Sequence, residues 1–150
     1  MPENGLKQGK LNKVADPVFV HTMKVRDYEC DSQGVVNNAI YLHYFEATRH
    51  ELMEECGLRL RDLTEANIIP VVRNVNISYR NSLRGSEEFV CTATAEREGL
   101  RYFFKQQIIR VPDNTLCATA VIDVVCLIDG KVSKPEMFDK VFVDYITWIK

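Results

Sequence analysis

The stretch that decides the architecture runs from Ala39 to Tyr79, AIYLHYFEATRHELMEECGLRLRDLTEANIIPVVRNVNISY. In its first half Tyr41, Phe45, Thr48, Leu52 and Cys56 recur at three- and four-residue steps, and Ile40 and Tyr44 widen that stripe. Glu46, Arg49, Glu51, Glu54 and Glu55 fall mainly elsewhere. This spacing predicts an amphipathic helix over Ala39–Cys56, because side chains three and four apart share one helix face. Gly57 is a good stop for it, since glycine adopts the left-handed conformation that ends many helices. A short second helix is expected over Leu60–Ala66. From Ile68 to Tyr79 the pattern changes to that of a strand.

Outward from this stretch, strand-like runs occupy Glu87–Arg97, Arg101–Val111 and Thr115–Ile128. Glu98-Gly99 and Pro112-Asp113-Asn114 supply the turns between them. No helical segment separates these runs, so an antiparallel meander is expected rather than alternating strand–helix units. Upstream, Val18–Arg26 (VFVHTMKVR) alternates apolar and polar residues as a half-buried strand does. Ala118–Ile128 is apolar on both faces and should be a central or doubly covered strand. Asp129-Gly130 is a hairpin turn. Pro135–Lys140 reads as a short turn, with a helix or strand after it. The fold class is therefore α+β: one long central helix wrapped by a five-stranded antiparallel sheet. A single sheet around one helix leaves an edge or face uncovered, so a homodimer or homotetramer is expected.

The 150 residues, 46% of them hydrophobic, suit a single domain. Residues 1–16 are expected to form a flexible tail before a domain spanning 17–150. The formal net charge of −2 argues against a protein that wraps nucleic acid, which normally shows a large basic excess. No run reaches the roughly 18 apolar residues of a membrane span. The tail lacks the apolar segment of a secretory signal, so a cytoplasmic location is expected. Asn76-Ile77-Ser78 fits a glycosylation triplet that such a chain would never use. Cysteines at 30, 56, 91, 117 and 126 are odd in number and lack the close spacing of a zinc or redox pair. They read as reduced thiols, and a Cys-His hydrolase would need one of them beside His21, His43 or His50.

The segment Val25–Leu58 carries the chemistry. Asp31-Ser32-Gln33-Gly34 is a turn, and Asn37 or Asn38 can cap the helix that follows. The first turn of a helix presents amide hydrogens that lack intrahelical partners and carry partial positive charge. Such a site can stabilise a carbonyl oxygen as negative charge develops on it. A carboxylate a few residues upstream can then act on that carbonyl as a base towards water or as a nucleophile. Gly34 is read as removing a side chain where a ligand approaches the backbone. On these residues alone, a turn followed by a helix cap is the favoured reading of the pattern. Glu46 reads as a surface or dimer-interface charge, with a polar contact inside the site as its second reading. Arg49-His50 reads as a solvated helix face. Asp123, within an apolar strand, needs either a sheet edge or a basic partner.

The wider segment resembles the 4-hydroxybenzoyl-CoA thioesterase family of hotdog proteins. The resemblance lies in the strand ending at Val25-Arg26, the Asp31-x-x-Gly34-Val35-Val36 turn, Tyr41 after Asn38, and Phe45-Glu46-Ala47-x-Arg49. It spans roughly Val18–Ile128, and the Gly-Val-Val-Asn-Asn-Ala form looks closer to the plant acyl-lipid thioesterases. The resemblance implies a hotdog fold and hydrolysis of an acyl thioester, carried by coenzyme A or acyl carrier protein, in fatty acid metabolism. It implies no metal and no cofactor. Asp31 becomes the catalytic carboxylate, and the backbone N–H of Asn38 the contact to the thioester oxygen. Gly34, Val36, Asn37 and Tyr41 are expected at the substrate, and Arg80 and Arg84 are candidates to grip coenzyme A phosphates. Many bacterial members carry Tyr-His where this chain has Asn37-Asn38, so the resemblance does not carry a histidine-assisted step over to this chain. Two alternatives stand: a hydratase or dehydratase of acyl thioesters, and a silent dimer that binds an acyl group.

Overall fold

The structure is a computed structural model that describes residues 18–134, 136–141 and 146–148. The expected tail at 1–16 lies outside the described residues. Strand β1 (Phe19–Lys24) leads through a 3-10 turn (Asp27–Glu29) into helix α1 (Ile40–Glu55) and the short α2 (Leu60–Glu65). Strands β2 (Ile68–Tyr79), β3 (Glu88–Glu98), β4 (Arg101–Arg110) and β5 (Thr115–Ile128) follow. The chain closes with β6 (Lys131–Ser133), α3 (Glu136–Val141) and β7 (Ile146–Trp148). The five expected strands are thus joined by two short ones. Asp129-Gly130 turns the chain into β6, which pairs with the end of β5. Where a turn was expected at Pro135–Lys140, the described part is helical.

The sheet order is β1-β3-β4-β5-β2, so the expected meander holds only for β3-β4-β5. β2 does not pair with β3, its neighbour in sequence; it runs antiparallel to β5 along nearly its whole length. Two demands explain this. The outer edge of β3 is taken by β1. The 14-residue β5 has backbone donors and acceptors along two long, buried edges, and β4 and β2 take up one edge each. β2 thereby becomes an edge strand, broken by a bulge at Arg73. Its burial pattern is almost wholly exposed, with Ile69, Val71, Val72 and Val75 uncovered.

Helix α1 lies on the inner face of this curved sheet. Tyr41, Tyr44, Phe45, Thr48, Leu52 and Met53 are its buried positions, close to the stripe read from the sequence. The register puts Ala93 and Ala95 of β3, and Ala118 and Ala120 of β5, on the same inner face. Small side chains there let the aromatic residues of the helix pack close. Polar links tie the layers together. Buried Gln106 donates from Nε2 to the Phe45 carbonyl at 3.1 Å and accepts from Arg49 Nη1 at 3.0 Å. Buried Glu29 accepts from the Tyr44 hydroxyl at 2.8 Å and from the Arg26 amide at 2.8 Å. Asp123 meets its need by the basic-partner route: Arg101 donates to it from Nε and Nη2, and Arg73 lies 3.9 Å away.

Candidate active site

The loop between β1 and α1 is built as a small hairpin. Cys30 bridges to Val36, and Val35 bridges to Arg84. At its tip the Asp31 amide donates to the Val35 carbonyl at 2.9 Å, and the Gly34 amide donates back to the Asp31 carbonyl at 3.0 Å. One carboxylate oxygen of Asp31, Oδ1, accepts the Gln33 amide at 2.8 Å. That contact fixes the side chain, while Oδ2 has no donor among the described residues. Asp31 is exposed. Gly34 takes φ +77°, and a Cβ there would meet nothing within 4 Å. The turn needs glycine for its left-handed backbone, and the space beside it is open.

The start of α1 is pinned from below. The Val36 amide donates to the Leu83 carbonyl at 2.8 Å, and the Asn37 amide to the Glu29 carbonyl at 3.0 Å. Asn37 Oδ1 accepts the Ala39 amide at 2.9 Å in an Asx turn just before the helix; the N-cap position itself is Ala39, with no side-chain cap, so the expected asparagine cap is replaced by this turn. The Asn38 amide has no acceptor among the described residues. Its carbonyl accepts the Tyr79 hydroxyl at 2.9 Å, which ties the end of β2 to the beginning of the helix.

A cavity of about 360 Å³ opens between these parts, lined by Asp31, Val35, Val36, Asn38, Tyr41, Tyr79, Arg80, Asn81 and Ser82. Of the residues expected from sequence, Asp31, Val36, Asn38, Tyr41 and Arg80 meet there. Gly34, Asn37 and Arg84 do not line it. Asn37 and Gly34 belong to the loop that carries Asp31 and Asn38, and Arg84 lies in the connection between β2 and β3, at the isolated bridge to Val35. Neither Arg80 nor Arg84 forms an ion pair among the described residues. Tyr79, Asn81 and Ser82 were missed. Tyr79 reaches the site only because β2 crosses to β5, a long-range pairing that no local pattern announces.

Tyr41 accepts the Leu83 amide at its hydroxyl, 3.2 Å away, and packs edge-on to Tyr79 at 5.3 Å. Burial holds the Tyr41 phenol above its ordinary range. Burial, then the hydrogen bond to Glu29, raises Tyr44 well above its own. Both rings therefore stay neutral at physiological pH. No cluster of three or more histidine, cysteine or acidic side chains suited to a metal occurs among the described residues. No helix among them is long and apolar enough to cross a membrane. An exposed carboxylate, an uncommitted amide at a helix start and an apolar wall share one cavity, an arrangement suited to attack on a carbonyl carbon.

Comparison with known proteins places the chain in a family and a fold. The profile of the thioesterase-like superfamily matches residues 25–144. The Arabidopsis thaliana acyl-acyl carrier protein thioesterase ATL3, chloroplastic, is 32% identical over 92 residues, 61% of this chain and 48% of that protein. The chain thus spans about half the length of that plant relative. The long-chain acyl-CoA thioesterase FadM of Escherichia coli strain K12 is 34% identical over 113 residues, 75% of this chain and 84% of that protein. The crystal structure of YbaW from Escherichia coli superposes with a TM-score of 0.72 at 28% identity, over 86% of this chain and 99% of that one.

Proposed function

The chain belongs to the thioesterase-like superfamily and has its hotdog fold, and from that premise we propose that it hydrolyses an acyl thioester with Asp31 as the catalytic carboxylate. The observation that carries this reading is the shared cavity of Asp31 and Asn38. The thioester oxygen accepts the Asn38 amide, which has no competing acceptor. Asp31, held at Oδ1 by Gln33, uses its free oxygen either to take a proton from water or to attack the carbon. In the water route the hydroxide adds to the carbonyl carbon, the C–S bond breaks, and the thiolate leaves with the proton returned. Val35, Val36 and Tyr41 form the apolar side of the cavity, against which a bound acyl group would displace water and strengthen the amide contact.

Arg80 and Arg84, whose guanidinium groups form no ion pair among the described residues, suit the phosphates of coenzyme A or of a carrier-bound phosphopantetheine. A homodimer formed along β2 completes the assembly: an edge strand this long and apolar is a surface that a second copy would cover. Cytoplasmic location is part of the same reading. A thiol-release assay with acyl-CoA and acyl-carrier substrates tests the function. Free thiol from at least one class is the expected result. Tight acyl-CoA binding without release would establish the silent binder instead, and hydration of an enoyl thioester would establish the hydratase.

A further inference from the structure

A second cavity, of about 280 Å³, lies at the far end of α1, under α2 and β2. Met53, Leu60, Val72, Phe104 and Val124 give it an apolar lining, and Glu46 and His50 stand beside Arg49 on its polar side. Into this lining α1 places Arg49, which the sequence pattern assigned to a solvated face. The correction is substantial: Arg49 is partly buried, and its one hydrogen bond runs from Nη1 to the neutral amide oxygen of Gln106 at 3.0 Å. It makes no ion pair among the described residues. Glu46, three positions back along the helix, lines the same cavity, where its charge favours the protonated guanidinium without a direct ion pair, and lies 3.7 Å from His50. A guanidinium has five N–H donors, and most of these are uncommitted beside apolar walls. Burying such a group without acceptors is costly.

The two cavities are joined by a continuous apolar strip. The inner face of β2 presents Tyr79, Ile77, Val75, Val72 and Pro70 in succession, each opposite an inner-face residue of β5. Tyr79 lines the Asp31 cavity, and Val72 and Pro70 line the distal one. Arg49 lies nine positions beyond Ile40, about 14 Å along the helix axis at 1.5 Å per residue.

Resting on the thioesterase reading, we propose that the acyl chain runs along this strip and that Arg49 receives an oxygen function at its far end, a carboxylate above all. The favoured substrates are then medium-chain acyl thioesters that are acidic or oxygenated at the end away from sulfur. A carboxylate matches the planar fork of the guanidinium, as a bare methyl terminus does not.

The test compares kcat/KM for the monothioester dodecanedioyl-CoA with that for dodecanoyl-CoA, with butyryl-CoA as a short reference, in the full chain. Wild type is expected to favour the dioyl substrate by about tenfold, the scale of one charge-assisted hydrogen bond. Arg49→Met should erase that ratio, and Arg49→Lys should restore part of it. Leu60→Trp, which fills the cavity from its outer side, should depress both long substrates relative to butyryl-CoA. Equal rates on the two long substrates in wild type, or a ratio unchanged in Arg49→Met, would overturn the assignment of Arg49. Should the Arg49 variants fail to fold, the wild-type ratio and Leu60→Trp still decide. Butyryl-CoA turnover in wild type separates the two readings: if it persists while the ratio stays at one, only this inference falls. If wild type releases thiol from none of the three, the thioesterase reading falls and takes this one with it.

Discussion

At the scale of single residues, the site depends on a few backbone and side-chain constraints that can each be removed. Gly34 at φ +77° is one. Gly34→Ala forces a left-handed conformation on a residue with a Cβ and should cost about 1–2 kcal/mol, read from urea denaturation. An unchanged midpoint would mean that the turn relaxes freely. The thiols give a second prediction. Burial pushes Cys91 and Cys126 up to about 12, and it also raises Cys117. Cys30 and Cys56 are partly exposed. Alkylation of the folded protein near pH 8 should therefore mark Cys30 and Cys56 and spare the other three until denaturant is added. Peptide mass spectrometry reads the pattern, and rapid labelling of Cys91 would contradict it. Asp31 and Asn38 were legible because turn and helix start are local events, set within eight residues. Arg49 was misread for a related reason: helix periodicity shows which face a residue lies on. It does not show that Gln106, 57 positions away, waits there to accept from it.

Between elements, the stripe of α1 could be read because a 3.6-residue period imprints one buried face directly on the sequence. Leu52, fully buried in its last turn, is the test of that packing. Leu52→Ala should destabilise the fold by about 2–5 kcal/mol, the range for large-to-small core changes, measured by thermal or urea unfolding. A cost under about 1 kcal/mol would place α1 outside the core. The strand order was less legible. Alternation gave the existence of each strand, and the two apolar faces of β5 gave its inner position. Pairing partners follow from competition among edges, and β1 wins the edge of β3 that a simple meander would give to β2. That single exchange carries Tyr79 to the helix start, and so completes a site whose local half alone was visible in the sequence.

Across the whole molecule, the uncovered β2 edge is the feature that most demands a partner. Its exposed Ile69, Val71 and Val72 sit on a strand with one side unpaired. A homodimer is expected by analytical ultracentrifugation, and Val71→Lys, a charge on that edge, should shift the population towards monomer. A wild-type monomer at tens of micromolar would rule out this assembly. The site itself offers the sharpest test. Asp31→Asn keeps the size of the side chain and removes its charge and basicity. With thermal unfolding matched to wild type, thiol release from acyl-CoA should fall by about a thousandfold or more. Near-wild-type turnover in the folded variant would contradict the account at its centre.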